Sequence, residues 1–217
     1  RLVGSEMCIR DRCSRFWIIL FKTILSKLYH WKIYVVGSVE YQYPNHLFQA
    51  GYFLDKKYYD ENTIDFKHLL LSEKNQSLLK DIQNSNSVGV HIRRGDYMTK
   101  QNLVIFGNIC TQKYYHDAIR IITEKVNDAV FYVFSDDISW VQTHLDIPNA
   151  VYVNWNTGES SIYDMYLMSS CKYNIIANST FSYWAARLNK KTNMVIYPSK
   201  WYNTFTPDIF PESWCGI

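Results

Sequence analysis

Two arginines, Arg93 and Arg94, stand side by side where the apolar run Val88-Gly89-Val90 gives way to polar residues. They lie inside His91-Ile92-Arg93-Arg94-Gly95-Asp96. A planar guanidinium fork matches a pair of phosphate oxygens better than an ammonium does. An imidazole and a carboxylate beside it add polar recognition. The run is therefore either an anion clamp or a charged turn. Asp96 either joins the clamp or holds Arg94 in a structural ion pair, and His91 either meets a ligand or packs in the core.

Two further groups could share that chemistry. Asn178-Ser179-Thr180 follows the apolar run Tyr173–Ala177 and precedes a helical pattern. Free N–H groups at a helix start, with two hydroxyls, form an anion site, although simple N-capping uses the same residues. Ser135-Asp136-Asp137 follows Val130–Phe134. These aspartates either accept hydrogen bonds from a base edge such as guanine or cap the next helix. A diphosphate between Arg93 and the Ser179-Thr180 helix start would unite the groups.

The positioning elements follow from periodicity. Val88–Ile92, Val130–Phe134, Ala150–Val153, Tyr173–Ala177 and Met194–Tyr197 read as short apolar strands. Between them, Thr111–Val126, Asp137–Leu145, Ser160–Cys171 and Phe181–Asn189 read as helices, the first with Tyr114, Tyr115, Ala118, Ile119, Ile122 and Val126 on one face. Alternating strands and amphipathic helices predict a parallel sheet covered on both sides. In such a sheet, ligands bind beyond the carboxyl ends of the strands, where all three polar groups lie. Upstream, residues 16–30 and 73–83 read as helices and Ile33–Val36 as a strand.

Composition narrows the class. The chain has 217 residues, 47% hydrophobic and 20% charged, as a globular core requires. Eighteen tyrosines help raise aromatics to 17%, which fits either a sugar-handling surface or a tyrosine-rich core. The net charge is +3, and the first fifteen residues hold four arginines against two acids, so the rest is nearly neutral. That balance argues against a nucleic-acid binder. The five cysteines form no CxxC pair and the six histidines are scattered, so neither a disulfide framework nor a metal site is expected. No Walker loop or GxGxxG occurs. The apolar stretch Phe16–Phe21 is too short for a membrane span.

Taken together, these motifs resemble those of the fucosyltransferases. His91–Asp96 resembles the HxRRxD signature of the α-1,2- and α-1,6-fucosyltransferase superfamily. Phe134–Asp137 and Asn178-Ser-Thr-Phe-Ser-Tyr-Trp-Ala185 look like the second and third motifs of the α-1,2 branch, glycosyltransferase family 11. Gly51–Tyr59 is similar to a further stretch of bacterial members. The likeness spans about residues 33–200.

The resemblance implies a GT-B architecture, with a Rossmann-like C-terminal domain that binds GDP-fucose. It implies metal-independent, inverting transfer of fucose to the 2-hydroxyl of a galactoside in a glycan, with no cofactor. By residue, Arg93 would contact the β-phosphate as the catalytic cation. His91 and Asp136 would approach guanine. Ser179, Thr180 and Phe181 would wall the phosphates and nucleoside. Arg94 and Asp96 would orient the clamp. A bacterial member would act in the cytoplasm, peripherally at the inner membrane, and an animal one in the Golgi membrane. An α-1,6 or O-fucosyltransferase relative, or a nucleotide-binding fragment without transferase activity, are the alternatives.

The domain organisation expected is a non-native leader over 1–15, the remnant of an N-terminal acceptor-side lobe over 16–84, a GDP-sugar domain over 85–200, and a tail over 201–217. The glycine-rich segment that opens family members has no counterpart here. Truncation of the N-terminal lobe is therefore expected.

Overall fold

This computed structural model describes residues 66–217, together with the backbone of two earlier strands, Tyr34–Val36 (β1) and Phe48–Ala50 (β2). Contacts divide the chain into two compact units, residues 1–59 with 207–209, and residues 60–206 with 210–217. In the first, β1 and β2 pair in parallel. The expected leader over 1–15, the helix over 16–30 and the motif over 51–59 lie outside the described residues.

The second unit is built on six strands: Asn86–Ile92 (β3), Ala129–Ser135 (β4), Ala150–Val153 (β5), Tyr173–Ile175 (β6), Met194–Tyr197 (β7) and Cys215–Gly216 (β8). All neighbours are parallel, in the order β5-β4-β3-β6-β7-β8. In order of appearance within the unit this is 3-2-1-4-5-6, the Rossmann arrangement. The chain reverses direction across the sheet between β3 and β6. That switch point opens a crevice beyond their carboxyl ends.

Six helices cover the sheet: Glu73–Asn84 (α1), Lys100–Phe106 (α2), Gln112–Lys125 (α3), Ile138–His144 (α4), Ser161–Ser169 (α5) and Thr180–Leu188 (α6). Strand side chains alternate faces. Val88, Val90, Ile92, Phe131 and Val133 join α3 and Val141 in one core cluster. Tyr132, Phe134, Val153 and Val195 join α1, α5 and α6 in the other. Gly89 allows α5 and its following turn to close on β3. A Cβ there would lie 2.9 Å from Asn174 Nδ2 and 3.1 Å from Met168 Cγ.

The expected strands and most helices appear within a residue or two. Three findings differ. Helix α1, expected with the 16–84 lobe, packs Leu78 and Ile82 into the second cluster of the sheet unit. A 3₁₀ turn over Gly95–Met98 and helix α2 follow the arginines. The expected tail carries β8, which extends the sheet beside β7.

Candidate functional site

Strand β3 delivers the arginines to the switch point, and β4 supplies their partners. Arg93, half-buried, donates from Nη1 to Asp136 Oδ2 at 2.8 Å and from Nη2 to Asp96 Oδ1 at 2.6 Å. The second oxygen of Asp136 accepts the Arg94 backbone N–H at 2.9 Å. Asp136 therefore binds both the side chain of one arginine and the main chain of the next. Gly95 makes this possible, because a Cβ there would sit 2.4 Å from Asp136 Oδ2.

Arg94 points elsewhere. Its Nε donates to Asp137 Oδ2 at 3.1 Å, and its guanidinium lies 3.7 Å from the centre of the Trp140 ring. Asp137 also caps α4, accepting the Trp140 N–H at 3.1 Å. The sequence offered Asp96 as the partner of Arg94; the structure gives Asp96 to Arg93 and Asp137 to Arg94. The 3₁₀ turn explains the exchange, since it folds Asp96 back one turn onto Arg93. Asp136, expected at a guanine edge, has both carboxylate oxygens engaged by the arginine pair.

His91 lies near the carboxyl end of β3. It is buried, and burial, with Arg93 adding to it, lowers its pKa to about 3. The ring is therefore neutral at physiological pH. Its Nδ1 has no hydrogen-bond partner, and its ring lies 5.1 Å from that of Phe181. A buried unpaired ring nitrogen costs stability, because it forgoes the hydrogen bond it would make in water.

Across the switch point, α6 begins at Thr180, with Ser179 as its N-cap. Ser179 is buried, yet its hydroxyl makes no capping bond. The first N–H groups of α6 and that hydroxyl remain available to an anion, and the helix dipole favours one there. The structure thus brings His91 and Phe181 together and pairs Arg93 with Asp96 and Asp136. It places Ser179 and Thr180 at the neighbouring strand end. Arg94 turns away towards α4.

Asn178 is the site residue that sequence reasoning left without a role. It is 2% exposed, and its Nδ2 donates to the Trp201 and Phe106 carbonyls at 3.0 and 3.3 Å. Its own carbonyl accepts the Tyr97 hydroxyl at 2.9 Å, and its Oδ1 accepts the Cys110 thiol at 3.4 Å. The signal was an amide, rather than an apolar residue, directly after a buried strand. Asp164 was missed too. Burial raises its pKa to about 7, against the lowering effect of a 2.6 Å bond from Asn156.

A parallel sheet in this strand order, covered by helices, defines a Rossmann-like α/β domain. Residues 16–217 match the profile of glycosyl transferase family 11, and the chain belongs to that family. It is 35% identical over 196 residues to the alpha-1,2-colitosyltransferase of Escherichia coli, covering 83% of this chain and 63% of that protein. It is 37% identical over 222 residues to the O-antigen biosynthesis glycosyltransferase WbnK of Escherichia coli, covering 91% and 72%. With the galactoside alpha-(1,2)-fucosyltransferase 2 of Pongo pygmaeus it shares 28% over 163 residues, 69% of this chain and 48% of that one. The chain therefore spans less than two thirds of the first and third of these relatives. Among the described residues, no helix is long and apolar enough to cross a membrane.

Proposed function

We propose that the protein transfers L-fucose from GDP-fucose to the 2-hydroxyl of a terminal galactoside, with inversion and without a metal. The observation that carries this reading is the placement of Arg93, buried His91 and the uncapped start of α6 at the carboxyl ends of the neighbouring strands β3 and β6, with the His91 ring 5.1 Å from that of Phe181. A nucleotide diphosphate matches all three. Its phosphates would take the α6 N–H groups and Arg93, and its nucleoside would meet His91 and Phe181.

In inverting transfer, the acceptor hydroxyl attacks the anomeric carbon from the opposite side, its proton passing to a base or to the departing diphosphate, as the C–O bond to the diphosphate breaks. Negative charge grows on the β-phosphate oxygen. A guanidinium held in place by two carboxylates needs little reorganisation to receive that charge, and preorganised donors of this kind are worth about 10²–10³ in rate. Arg93→Ala is expected to lower kcat/KM for GDP-fucose by about 100-fold or more while preserving the circular-dichroism spectrum. Transfer at the wild-type rate would remove Arg93 from the mechanism.

The likeness to an alpha-1,2-colitosyltransferase favours colitose as a second sugar to be transferred. Side-by-side kcat/KM values for the two GDP-sugars decide between them. A lactose-type acceptor used in preference to a chitin oligosaccharide separates the α-1,2 reading from an α-1,6 or O-fucosyl one. GDP binding without transfer to any acceptor would leave a nucleotide-binding fragment. With bacterial relatives that include an O-antigen enzyme, a cytoplasmic position at the inner membrane belongs to the same proposal.

A further inference from the structure

Helix α3 carries two adjacent tyrosines, Tyr114 and Tyr115, near its start. Both are buried, and their rings meet edge to face at 5.0 Å. The apolar face of α3 asks only for large rings, which phenylalanine would supply. A hydroxyl taken into a core costs stability unless it finds a partner. Each of these hydroxyls has one. Tyr115 donates to the His91 carbonyl at 3.1 Å, and Tyr114 donates to the Ile176 carbonyl at 2.6 Å. Burial raises the pKa of both well above the usual phenol range, so both remain donors.

The position of these two carbonyls gives the bonds their meaning. The β3–β6 ladder ends at the pair Val90 and Ile175. His91 and Ile176 are the next residues on either strand, where the sheet divides at its switch point. Helix α3 leads into the amino end of β4, so it runs antiparallel to the strands and its first turn reaches their carboxyl ends. One hydroxyl takes the first carbonyl past the division on each side.

Both sides continue directly into the candidate site. After Ile176 the main chain leaves the ladder, and side chains take over its pairing. The Ala177 N–H donates to Ser182 Oγ at 3.2 Å, and the Asn178 carbonyl accepts the Tyr97 hydroxyl at 2.9 Å. Ser179, the N-cap of α6, follows at once. On the other side, His91 stands two residues before Arg93. Asp136, which aims Arg93, is among the charges that act on the Tyr115 hydroxyl.

We propose that Tyr114 and Tyr115 are positioning residues for the donor site: their hydroxyls hold the two strand ends at the switch point, and so set the spacing between Arg93 and the start of α6 that a diphosphate must span. The proposal rests on the donor reading above. The two tyrosines act through the main chain. Because their rings are in contact, the carbonyl on one side is tied to the carbonyl on the other without any ladder bond between the strands. A site preorganised in this way binds its anion with less reordering.

The test is Tyr114→Phe and Tyr115→Phe, each of which keeps its ring, with Tyr132→Phe as control. Tyr132 is also buried, but its hydroxyl meets Ser85 Oγ at 3.1 Å, just ahead of β3 and at the opposite end of the strands. GDP and pyrophosphate binding are measured by calorimetry, and stability by the urea midpoint. The GDP Kd is expected to rise about tenfold in each α3 variant and to stay at the wild-type value in Tyr132→Phe. A GDP Kd in both α3 variants that matches the control, whatever their midpoints, makes the hydroxyls merely structural and overturns the proposal. If the wild type binds pyrophosphate but not GDP, the donor reading fails by itself. Weaker pyrophosphate binding in the α3 variants then still supports the positioning role, and unchanged binding overturns it. A wild type that binds neither overturns both.

Discussion

At the level of single residues, the arginine motif is a balance of charge as well as a clamp. Two guanidinium groups face three carboxylates, so an anion bound here, as proposed, would owe its affinity to direction more than to net charge. Asp136 sets that direction, because one carboxylate fixes both Arg93 and the Arg94 main chain. Asp136→Asn keeps an acceptor for the Arg94 N–H but loses the ion pair. GDP affinity is expected to fall about tenfold, or about 1.4 kcal/mol, measured by calorimetry. Gly95→Ala leaves every charge in place and pushes a Cβ to within 2.4 Å of Asp136 Oδ2. It should produce a similar loss. Unchanged affinity in both variants would mean that Asp136 does not position Arg93. Sequence showed the arginines and their carboxylates, because types and order are one-dimensional. It did not show the pairing, which depends on a 3₁₀ turn that folds Asp96 back.

Among the elements, the strands and the long helices were legible because their apolar periodicity matches their burial: the predicted face of α3 is the buried one. Helix α2 and strand β8 were not. Leu103-Val104-Ile105-Phe106 has no polar alternation, and Val104 points outward, so the segment carries no amphipathic signal. What holds α2 is remote, namely Asn203 at its end and Asn178 beneath it. Strand β8 is two residues long and exists because Tyr197 receives it: the Ile217 N–H donates to the Tyr197 carbonyl at 3.1 Å. Asn178 is accordingly a structural keystone for three segments. Asn178→Ala would strip donors from the Trp201 and Phe106 carbonyls, and each buried group left unpaired costs about 1–3 kcal/mol. Urea unfolding should show a loss of at least about 2 kcal/mol, with amide exchange accelerating first in residues 97–107 and 201–206. A loss spread evenly over the sheet would argue against the keystone role.

Over the whole sheet unit, two titratable groups, the buried His91 and the half-buried Asp164, act on stability in opposite senses across the same pH range. His91 titrates at about 3 in the fold, against 6.5 for the free side chain. Between those values the unfolded chain binds the proton more tightly, so this contribution is full above 6.5 and is lost as pH falls towards 3. Asp164 titrates at about 7 in the fold, against 3.8 when free. Here the folded chain binds the proton more tightly, so the contribution is full below 3.8 and is lost as pH rises through 7. Asp164 also anchors a polar knot. Asn156 donates to it, and Asn75 at the start of α1 accepts from Asn156 and from the Trp155 indole at 3.1 and 2.8 Å. Neutralising Asp164 should therefore leave the knot standing and expose the His91 slope. The wild-type denaturation midpoint is expected to vary little between pH 4 and 6.5. In Asp164→Asn it should climb steadily over that interval, and in His91→Gln it should decline. Parallel pH profiles in all three proteins would show that neither group titrates as its burial dictates, and that the unit's acid sensitivity lies in its exposed carboxylates.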